Sequence, residues 1–382
     1  MKLLRAVVVS VAVASAGCAG ARRGYTGDPF ERTDTDVLAV YSISWWQKLV
    51  DAPALEYGPR EPARPGVDTI NDRVVTGTRD GILRSIDNKG RIVWRFVSGQ
   101  PFSAGPEVVD GFVFAPGGDG FLYCFRADTG ELFWKYEAGE DLVTVPVVAE
   151  GKVLVASQND TLFAVEAATG KWLWQYRRDT PTGFTVRGAS RPVVRDGTAY
   201  VGFADGHLAA LKLESGAALW DRVLSTGTQF IDIDAPPVFD GKGNLIVAAY
   251  KDGLFSLDPG SGETLWHTAV SGMVGLVGRA GVVFASGDAK VIAVQTSTGK
   301  LLWSTSLGQR AGLQPALAAG WLMVPTGRAL LFLDPASGAI RQTFDPGKGI
   351  TATPEVRGLD VYLLSNLGFV YSLEMSPPRG SG

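Results

Sequence analysis

The chain has 382 residues, of which 46% are hydrophobic and 20% are charged, and its formal net charge is −3. This composition supplies enough apolar side chains for a large core and argues against an intrinsically disordered chain. The balance of charges lacks the basic excess of a nucleic-acid-binding domain, so no nucleic-acid partner is predicted.

The N-terminal residues 1–18 have the pattern of a targeting segment. Lys2 and Arg5 precede an apolar run that ends near Ala14 and is too short to cross a bilayer. A Ser-Ala-Gly-Cys sequence then ends at Cys18 and resembles a bacterial lipobox, whose cysteine is lipidated and becomes the mature N-terminus. Lipidation of Cys18 is therefore predicted, and Ala19 implies sorting to the outer membrane. An ordinary signal peptide with a chance cysteine is the alternative.

Two further segments are predicted to lie outside the folded domain. Residues 19–36 are rich in glycine, arginine, threonine and aspartate. They are predicted to form a flexible tether that reaches roughly 20–25 Å. Residues 376–382 are predicted to form a disordered tail. The folded domain is therefore expected to span residues 37–375.

A hairpin motif recurs along this domain. A glycine is followed four positions later by a tryptophan at Gly90/Trp94, Gly130/Trp134, Gly170/Trp174, Gly216/Trp220, Gly262/Trp266 and Gly299/Trp303. A seventh copy keeps Gly338 but has Gln342 in place of the tryptophan. An apolar strand, often opened by Pro-Val, and an x-Gly turn precede the hairpins, which gives four short strands per unit. The repeat therefore predicts an all-β protein, a β-propeller with one four-stranded blade per repeat.

The number of blades follows from the strands at the two ends of the chain. Three strands follow the seventh hairpin, and one strand near Val40 to Trp46 has no partner nearby in the sequence. We predict an eight-bladed β-propeller whose last blade is closed by this N-terminal strand, with Trp45 or Trp46 in the missing tryptophan position. Closure of this kind removes the exposed edges of an open array.

The hairpin motif is similar to the tryptophan-docking motif of PQQ-type propeller repeats. The similarity is carried by Ala164-x-Glu166-x-x-Thr169-Gly170-Lys171-x-x-Trp174 and by Ala293-x-Gln295-x-x-Thr298-Gly299-Lys300-x-x-Trp303. This family contains quinone-dependent dehydrogenases and non-enzymatic members, among them the BamB family of outer-membrane lipoproteins. The eight blades and the lipobox resemble the BamB family. That resemblance implies a non-enzymatic, lipid-anchored scaffold on the periplasmic side of the outer membrane, a monomer within the β-barrel assembly complex.

The residues favour this implication over an enzyme. The resemblance implies that a quinone-dependent member would need bound Ca²⁺, a carboxylate base and typically a disulfide of adjacent cysteines, but only Cys124 would remain after lipidation. His207 and His267 show no metal-ligand spacing. Acids that recur before the Thr-Gly turns are predicted to stabilise those turns, since a catalytic residue is unique. These acids are Asp128, Glu166, Asp258 and Asp334. No catalytic residue, metal or cofactor is predicted; a PQQ-binding redox propeller and a cell-surface interaction propeller are the alternatives.

A partner-binding site is predicted where the repeat is longest. Two repeat intervals, from glycine 170 to 216 and from 216 to 262, contain 46 residues each. The excess lies in residues 179–190 and 225–234, in consecutive connections between blades, which emerge side by side. Their apolar residues are expected to be exposed and rimmed by charge, as at a protein-binding site. These apolar residues are Phe184, Val186, Phe230, Ile231 and Ile233.

The BamB resemblance implies the same site. Its motif is apolar-x-apolar-Arg-Gly-x-Ser in the first connection and Asp-x-Asp in the second. The matching residues are Phe184, Val186, Arg187, Gly188, Ser190, Asp232 and Asp234. In that family these connections bind the periplasmic POTRA domains of the barrel-insertion protein BamA, and Arg187 is expected to be the central anchor.

Overall fold

The computed structural model describes residues 39–51, 58–178 and 190–378. All regular secondary structure in these ranges is β, in eight sheets. The described part of the chain contains no helix long and apolar enough to span a membrane.

The strands follow one another blade by blade, except that β1 (Tyr41–Lys48) belongs to the last blade. Blade 1 contains β2 (Gly66–Asp68), β3 (Arg73–Gly77), β4 (Ile82–Asp87) and β5 (Ile92–Val97). Blade 2 contains β6 (Glu107–Val109), β7 (Phe112–Pro116), β8 (Phe121–Arg126) and β9 (Leu132–Glu137). Blade 3 contains β10 (Val147–Ala149), β11 (Lys152–Ala156), β12 (Thr161–Glu166) and β13 (Trp172–Arg177). Blade 4 contains β14 (Val193–Arg195), β15 (Thr198–Gly202), β16 (His207–Lys212) and β17 (Ala218–Val223).

The second half of the ring repeats this order. Blade 5 contains β18 (Val238–Phe239), β19 (Leu245–Ala249), β20 (Gly253–Leu257) and β21 (Thr264–Thr268). Blade 6 contains β22 (Met273–Arg279), β23 (Val282–Gln295) and β24 (Leu301–Ala311). Blade 7 contains β25 (Ala316–Ala318), β26 (Trp321–Pro325), β27 (Leu330–Leu333) and β28 (Ile340–Phe344). Blade 8 contains β29 (Glu355–Arg357), β30 (Asp360–Leu364), β31 (Phe369–Met375) and β1.

The two ends of the chain close the ring as predicted. Strand β1 pairs antiparallel with β31, from Tyr41 opposite Met375 to Lys48 opposite Phe369. The amide of Ser376 also donates to the carbonyl of Val40 at 2.8 Å, so the chain stays bonded to the fold one residue beyond β31. The protein is therefore an eight-bladed β-propeller, with contacts between the first strands of neighbouring blades around its axis.

The tryptophans of the hairpin motif join each blade to the next. The indole Nε1–H donates to a backbone carbonyl in the following blade at 2.6–3.0 Å, in all six complete copies. The ring also covers the turn glycine of that blade: a Cβ at Gly130 would lie 2.5 Å from Trp94, and one at Gly170 would lie 2.5 Å from Trp134. The tryptophans of the motif therefore pack between neighbouring blades. Trp45, not Trp46, takes this position in blade 8, because its ring covers Gly90.

The residue paired with each docked tryptophan is small. Its partners across the sheet are Ser85, Cys124, Ala164, Ala210, Ser256, Ala293 and Ser372. Cys124 is accordingly a fully buried small residue, and burial raises the pKa of its thiol to about 12. In blade 7 the large residue is on the third strand instead of the outer strand, because Phe332 pairs with Gln342.

Blade 6 departs from the four-strand pattern that the sequence predicts. Its second and third strand positions form one run, β23, whose first part pairs with β22 and whose second part pairs with β24. Strand β24 extends to Ala311, which pairs with Asp288, whereas the outer strands of the other blades have five to eight residues. The sequence does not show this extension, since it adds no residues to the repeat.

Candidate functional site

The two long connections lie at the ends of blades 3, 4 and 5. The structure describes Ser190, Asp232 and Asp234 of the predicted site. Phe184, Val186, Arg187 and Gly188 lie outside the described residues. The placement of the site therefore depends on the two ends of the first connection and on the whole of the second.

Both ends of the first connection are fixed to blade 4. At its start, Arg178 Nε donates to Asp205 Oδ2 at 2.5 Å, and its Nη1 also binds Asp221. At its end, the buried Ser190 accepts a hydrogen bond from the amide of Gly202 at 3.1 Å. Arg178 and Ser190, the described residues that flank the first connection, therefore both contact blade 4.

The second connection packs on the same strand end. The amide of Ile233 donates to the carbonyl of Phe203 at 3.2 Å, and a Cβ at Gly202 would lie 2.2 Å from the Ile233 side chain. Ser190, at the described end of the first connection, and Ile233 of the second therefore both contact Gly202. We call residues 225–237, with Ser190 and Asp160, the blade 4 loop patch.

The predicted exposure of the apolar residues is wrong at two positions. Ile231 is 7% exposed and Ile233 is fully buried, so both belong to the core under the patch. They face inward because the connection folds back on β15 instead of extending from the scaffold. Phe230 is 41% exposed, has a left-handed backbone (φ 56°) and contacts Tyr250, with ring centroids 5.9 Å apart. It is the described apolar residue of the second connection that a partner can reach.

Three carboxylates lie close together beneath this surface. Asp160, in the turn between β11 and β12, and Asp232 are each 2% exposed. Burial, followed by the charges of Asp232 and Asp160, raises the pKa of Asp234 to about 8. Burial and the neighbouring carboxylates also raise the pKa of Asp160 to about 6. Crowding of this kind disfavours the negative charge and would be relieved by a nearby cation.

Two acidic residues near the loop patch, Asp160 and Asp221, were not identified as site residues from the sequence. Asp160 follows a turn asparagine and has a φ of 55°, a conformation that aspartate tolerates in turns. Asp221, apparent in the sequence only as an isolated Trp-Asp pair, binds Arg178, and its Oδ1 lies 2.5 Å from His207 Nδ1. Neither role could be read from spacing, since both depend on contacts between blades.

Ion pairs between blades bear on whether the axis of the ring could hold a quinone or metal. Arg64, in front of β2, contacts Glu107 Oε2 at 2.6 Å and also binds Glu355. Arg191, in front of β14, contacts Glu107 at 3.0 Å. Ion pairs thus link blades 1, 2, 4 and 8, and a cofactor placed among them would have to break them.

The described ranges also contain no cluster of three or more acidic, cysteine or histidine side chains that could hold a metal ion. The paired arginines and glutamates on the axis therefore do not fit a quinone with its metal.

Comparisons with known proteins agree with this architecture. The fold and its docked tryptophans define an eight-bladed propeller of PQQ-like repeats. A family model described as outer membrane protein assembly factor BamB matches residues 79–305 and 287–375. The chain belongs to this family.

Individual relatives are more distant. Outer membrane protein assembly factor BamB from Legionella pneumophila (strain Paris) is 26% identical over 151 residues, which cover 39% of this chain and 39% of the relative. The crystal structure of BamB from Moraxella catarrhalis has a TM-score of 0.78 and 23% identity, over 88% of this chain and all of that one. A quinohemoprotein alcohol dehydrogenase from Comamonas testosteroni has a TM-score of 0.69 at 14% identity, over 90% and 78% of the two chains. These structural similarities show the fold.

Proposed function

We propose that this protein is a non-enzymatic scaffold of the outer-membrane β-barrel assembly complex, anchored by lipid at Cys18 on the periplasmic side. Its blade 4 loop patch and the adjoining residues 179–189 bind the POTRA domains of BamA. The family supports the complex and the membrane, because the matching model describes an outer membrane protein assembly factor. Lipidation of Cys18 and binding to BamA go beyond what the family model describes.

One observation carries the choice of surface. Both long connections are fixed to the end of blade 4, with Ser190 and Ile233 on either side of Gly202. A rigid base under two adjacent loops limits the conformational entropy lost on binding. The exposed Phe230 supplies an apolar contact for the partner.

The loop patch changes the expected role of the two aspartates. Because Asp232 and Asp234 are largely buried, they act by orienting the loops and Arg187, and direct contact with the partner falls to Phe230 and residues 184–187. In a double-mutant cycle, Arg187→Ala and Asp232→Ala should therefore be strongly non-additive in binding. Additive losses would mean that the two side chains act independently.

The test is binding of purified BamA POTRA domains, measured by calorimetry. Arg187→Ala and Phe230→Ala should each weaken binding by more than about 1 kcal/mol with little change in melting temperature. Phe133→Ala is the matched control, since Phe133 is 46% exposed on the outer strand of blade 2. If all three variants bind as the wild type does, the partner-binding site lies elsewhere on the ring.

The anchor has a separate test. Cys18→Ser should release the protein into the soluble periplasmic fraction while its melting temperature is retained. Membrane retention of this variant in cells that lack the partner would contradict lipidation. Quinone absorbance in the purified protein would favour the redox alternative, and cleavage by external protease would favour the cell-surface one.

A further inference from the structure

The two faces of the ring are formed by different parts of the chain. Because neighbouring strands of a blade are antiparallel, the turns after its first and third strands lie on one face, which we call the turn face. The turns after the second strands and the connections between blades, including the blade 4 loop patch, lie on the other face. Strand β1 is the outer strand of blade 8, so it begins on the turn face, beside the end of β31.

The tips of the first turns divide the turn face into two halves. Blades 2 to 5 carry an acidic residue at the tip, namely Asp110, Glu150, Asp196 and Asp240. Blades 6 and 7 have Ala280 and Ala319 at the same position, and the turns of blades 8 and 1 present Leu359 and Ile70. Leu359 is 46% exposed, and Ile70, at 67%, is the most exposed large hydrophobic side chain of the described ranges. We call the half formed by blades 6, 7, 8 and 1 the seam half, because both ends of the propeller chain lie on it.

Leu359 and Ile70 are presented by two turns that are fixed to each other. Arg357 Nη1 of blade 8 lies 2.5 Å from Asp72 Oδ1 of blade 1, and this ion pair neutralises the exposed carboxylate beside the tip. The amide of Ile70 donates to Oδ1 of the buried Asp68 at 3.1 Å, which holds the tip in place. Two exposed apolar side chains are therefore supported by adjacent, well-bonded turns.

A groove of about 1060 Å³ lies on the same half, between blades 6 and 8. It lies where blade 8 has no turn after its third strand, since the outer strand of that blade comes from the N-terminal end. Trp321 and Pro378 line the groove, and two further lining residues, Arg341 and Asp334, pair with each other at 3.1 Å. Arg279 also lines it, is exposed, and forms no ion pair with the described residues. The groove therefore combines apolar walls with an available positive charge.

We propose that the seam half is a membrane-contact surface, on which Ile70 and Leu359 insert between lipid headgroups and Arg279 binds a lipid phosphate. The path of the chain favours a bilayer as the occupant, because Ala39 lines the groove and only about 20 residues separate it from Cys18. A coil of that length spans roughly 22–27 Å, which keeps this half closer to an anchoring membrane than the acidic half. Apolar tips beside an arginine also match the boundary between headgroups and acyl chains. The contact rests on the proposed function for the lipid that brings it to a membrane, but not for the binding of POTRA domains.

In this orientation the blade 4 loop patch points away from the bilayer. The patch lies on the other face of the ring, and blade 4 is opposite blade 8 in a ring of eight blades. A partner can therefore approach the patch while the seam half remains on the membrane.

Vesicle binding tests the surface without the lipid anchor. The protein used is residues 19–382, which contain every described residue and lack the apolar N-terminal run. Sedimentation with vesicles of about three parts phosphatidylethanolamine to one part phosphatidylglycerol should show saturable binding. Ile70→Asp, Leu359→Asp and Arg279→Glu should each weaken it at least about fivefold. Val97→Asp is the matched control and should bind as the wild type does, since Val97 is 61% exposed at the end of β5, towards the other face.

Tryptophan fluorescence shows which half of the turn face meets the lipid. Lipids with brominated acyl chains should quench the wild type, and Trp321→Phe should reduce this quenching. Trp172→Phe should not reduce it, because Trp172 is 47% exposed but begins the outer strand of blade 3, beside the acidic half.

Three outcomes would overturn the proposal. They are a wild type that does not bind the vesicles, tip variants that bind as the wild type does, and an equal loss in Val97→Asp. All variants should keep the melting temperature and the POTRA binding of the wild type. Failure of vesicle binding would therefore leave the loop patch unaffected, and the result does not depend on lipidation of Cys18.

Discussion

At the scale of single residues, the titration of Asp234 connects the loop patch with stability. Burial and the charges of Asp232 and Asp160 raise its pKa to about 8, and Oδ1 of Asp234 is buried with no hydrogen-bond partner among the described residues. The folded state therefore holds this proton more tightly than the unfolded state. The stability that the proton contributes is complete below about pH 4 and is lost as the pH rises towards about 8.

Asp234→Asn should remove this pH dependence, because asparagine resembles the protonated acid. The melting temperature of the wild type should fall relative to the variant as the pH rises from about 5 to about 8, by an amount that corresponds to about 1–3 kcal/mol. Asp258→Asn is the control, because a backbone hydrogen bond from Ser261 lowers the pKa of Asp258. The difference in melting temperature between the wild type and Asp258→Asn should therefore stay constant from about pH 5 to about pH 8. A pH-independent difference for Asp234→Asn would contradict the burial argument.

Gln342 explains why one copy of the motif lacks its tryptophan. The Oε1 of Gln342 accepts the amide hydrogen of the buried Val40 at 2.7 Å, where the chain enters β1. In the six complete copies the docked tryptophan donates to a backbone carbonyl, whereas the residue at position 342 faces a backbone N–H and must accept. Indole can only donate a hydrogen bond.

Gln342→Leu should therefore lower the free energy of unfolding by about 1–3 kcal/mol, measured in urea. Gln175→Leu, on an exposed edge position, should have little effect.

At the scale of the blade, two different requirements explain the glycines in the turns: a left-handed backbone and space for the docked tryptophan ring. Gly130 and Gly151 have almost the same left-handed backbone, with φ of 74° and 73°. A Cβ at Gly130 would lie 2.5 Å from the Trp94 ring, but one at Gly151 would meet nothing within 4 Å. Gly151→Ala should cost about 1–2 kcal/mol through the backbone alone. Gly130→Ala should cost about 1–3 kcal/mol more, since the docked ring must move. Equal melting temperatures of the two variants would show that the ring contact does not matter.

The blades also show how far sequence reasoning reaches. The Gly-to-Trp spacing was sufficient for the repeated blades, because each repeat is a local pattern, and the strands left over at the two ends of the chain gave the eighth blade. The burial of Ile231 and Ile233 and the length of β24 were not apparent. Both depend on contacts with distant parts of the chain. Ile233, for example, packs on Gly202, a residue 31 positions earlier. Contacts between repeats do not leave a period in the sequence.

At the scale of the whole molecule, β1 holds the ring closed through several contacts at once. It covers the edge of β31, places Trp45 on Gly90 of blade 1, and brings Val40 to Gln342 of blade 7. Leu49 and Val50 then pack in one buried cluster with Ile86. The loss of β1 would therefore affect blades 1, 7 and 8 together.

Deletion of residues 37–50 should destabilise the entire propeller and not only its N-terminal part. The exposed edge of β31 should also favour aggregation, because it carries unpaired backbone groups beside apolar side chains. We expect a single thermal transition that is lowered by about 10 °C or more, since adjacent blades of a repeat protein stabilise one another. Deletion of residues 19–36 is the control and should leave the transition unchanged. A synthetic peptide of residues 37–50, added to the shortened protein, should restore part of the lost stability by pairing with β31. An unchanged melting temperature and solubility after the first deletion would show that β1 is dispensable and that the ring is held by its blade-to-blade contacts alone.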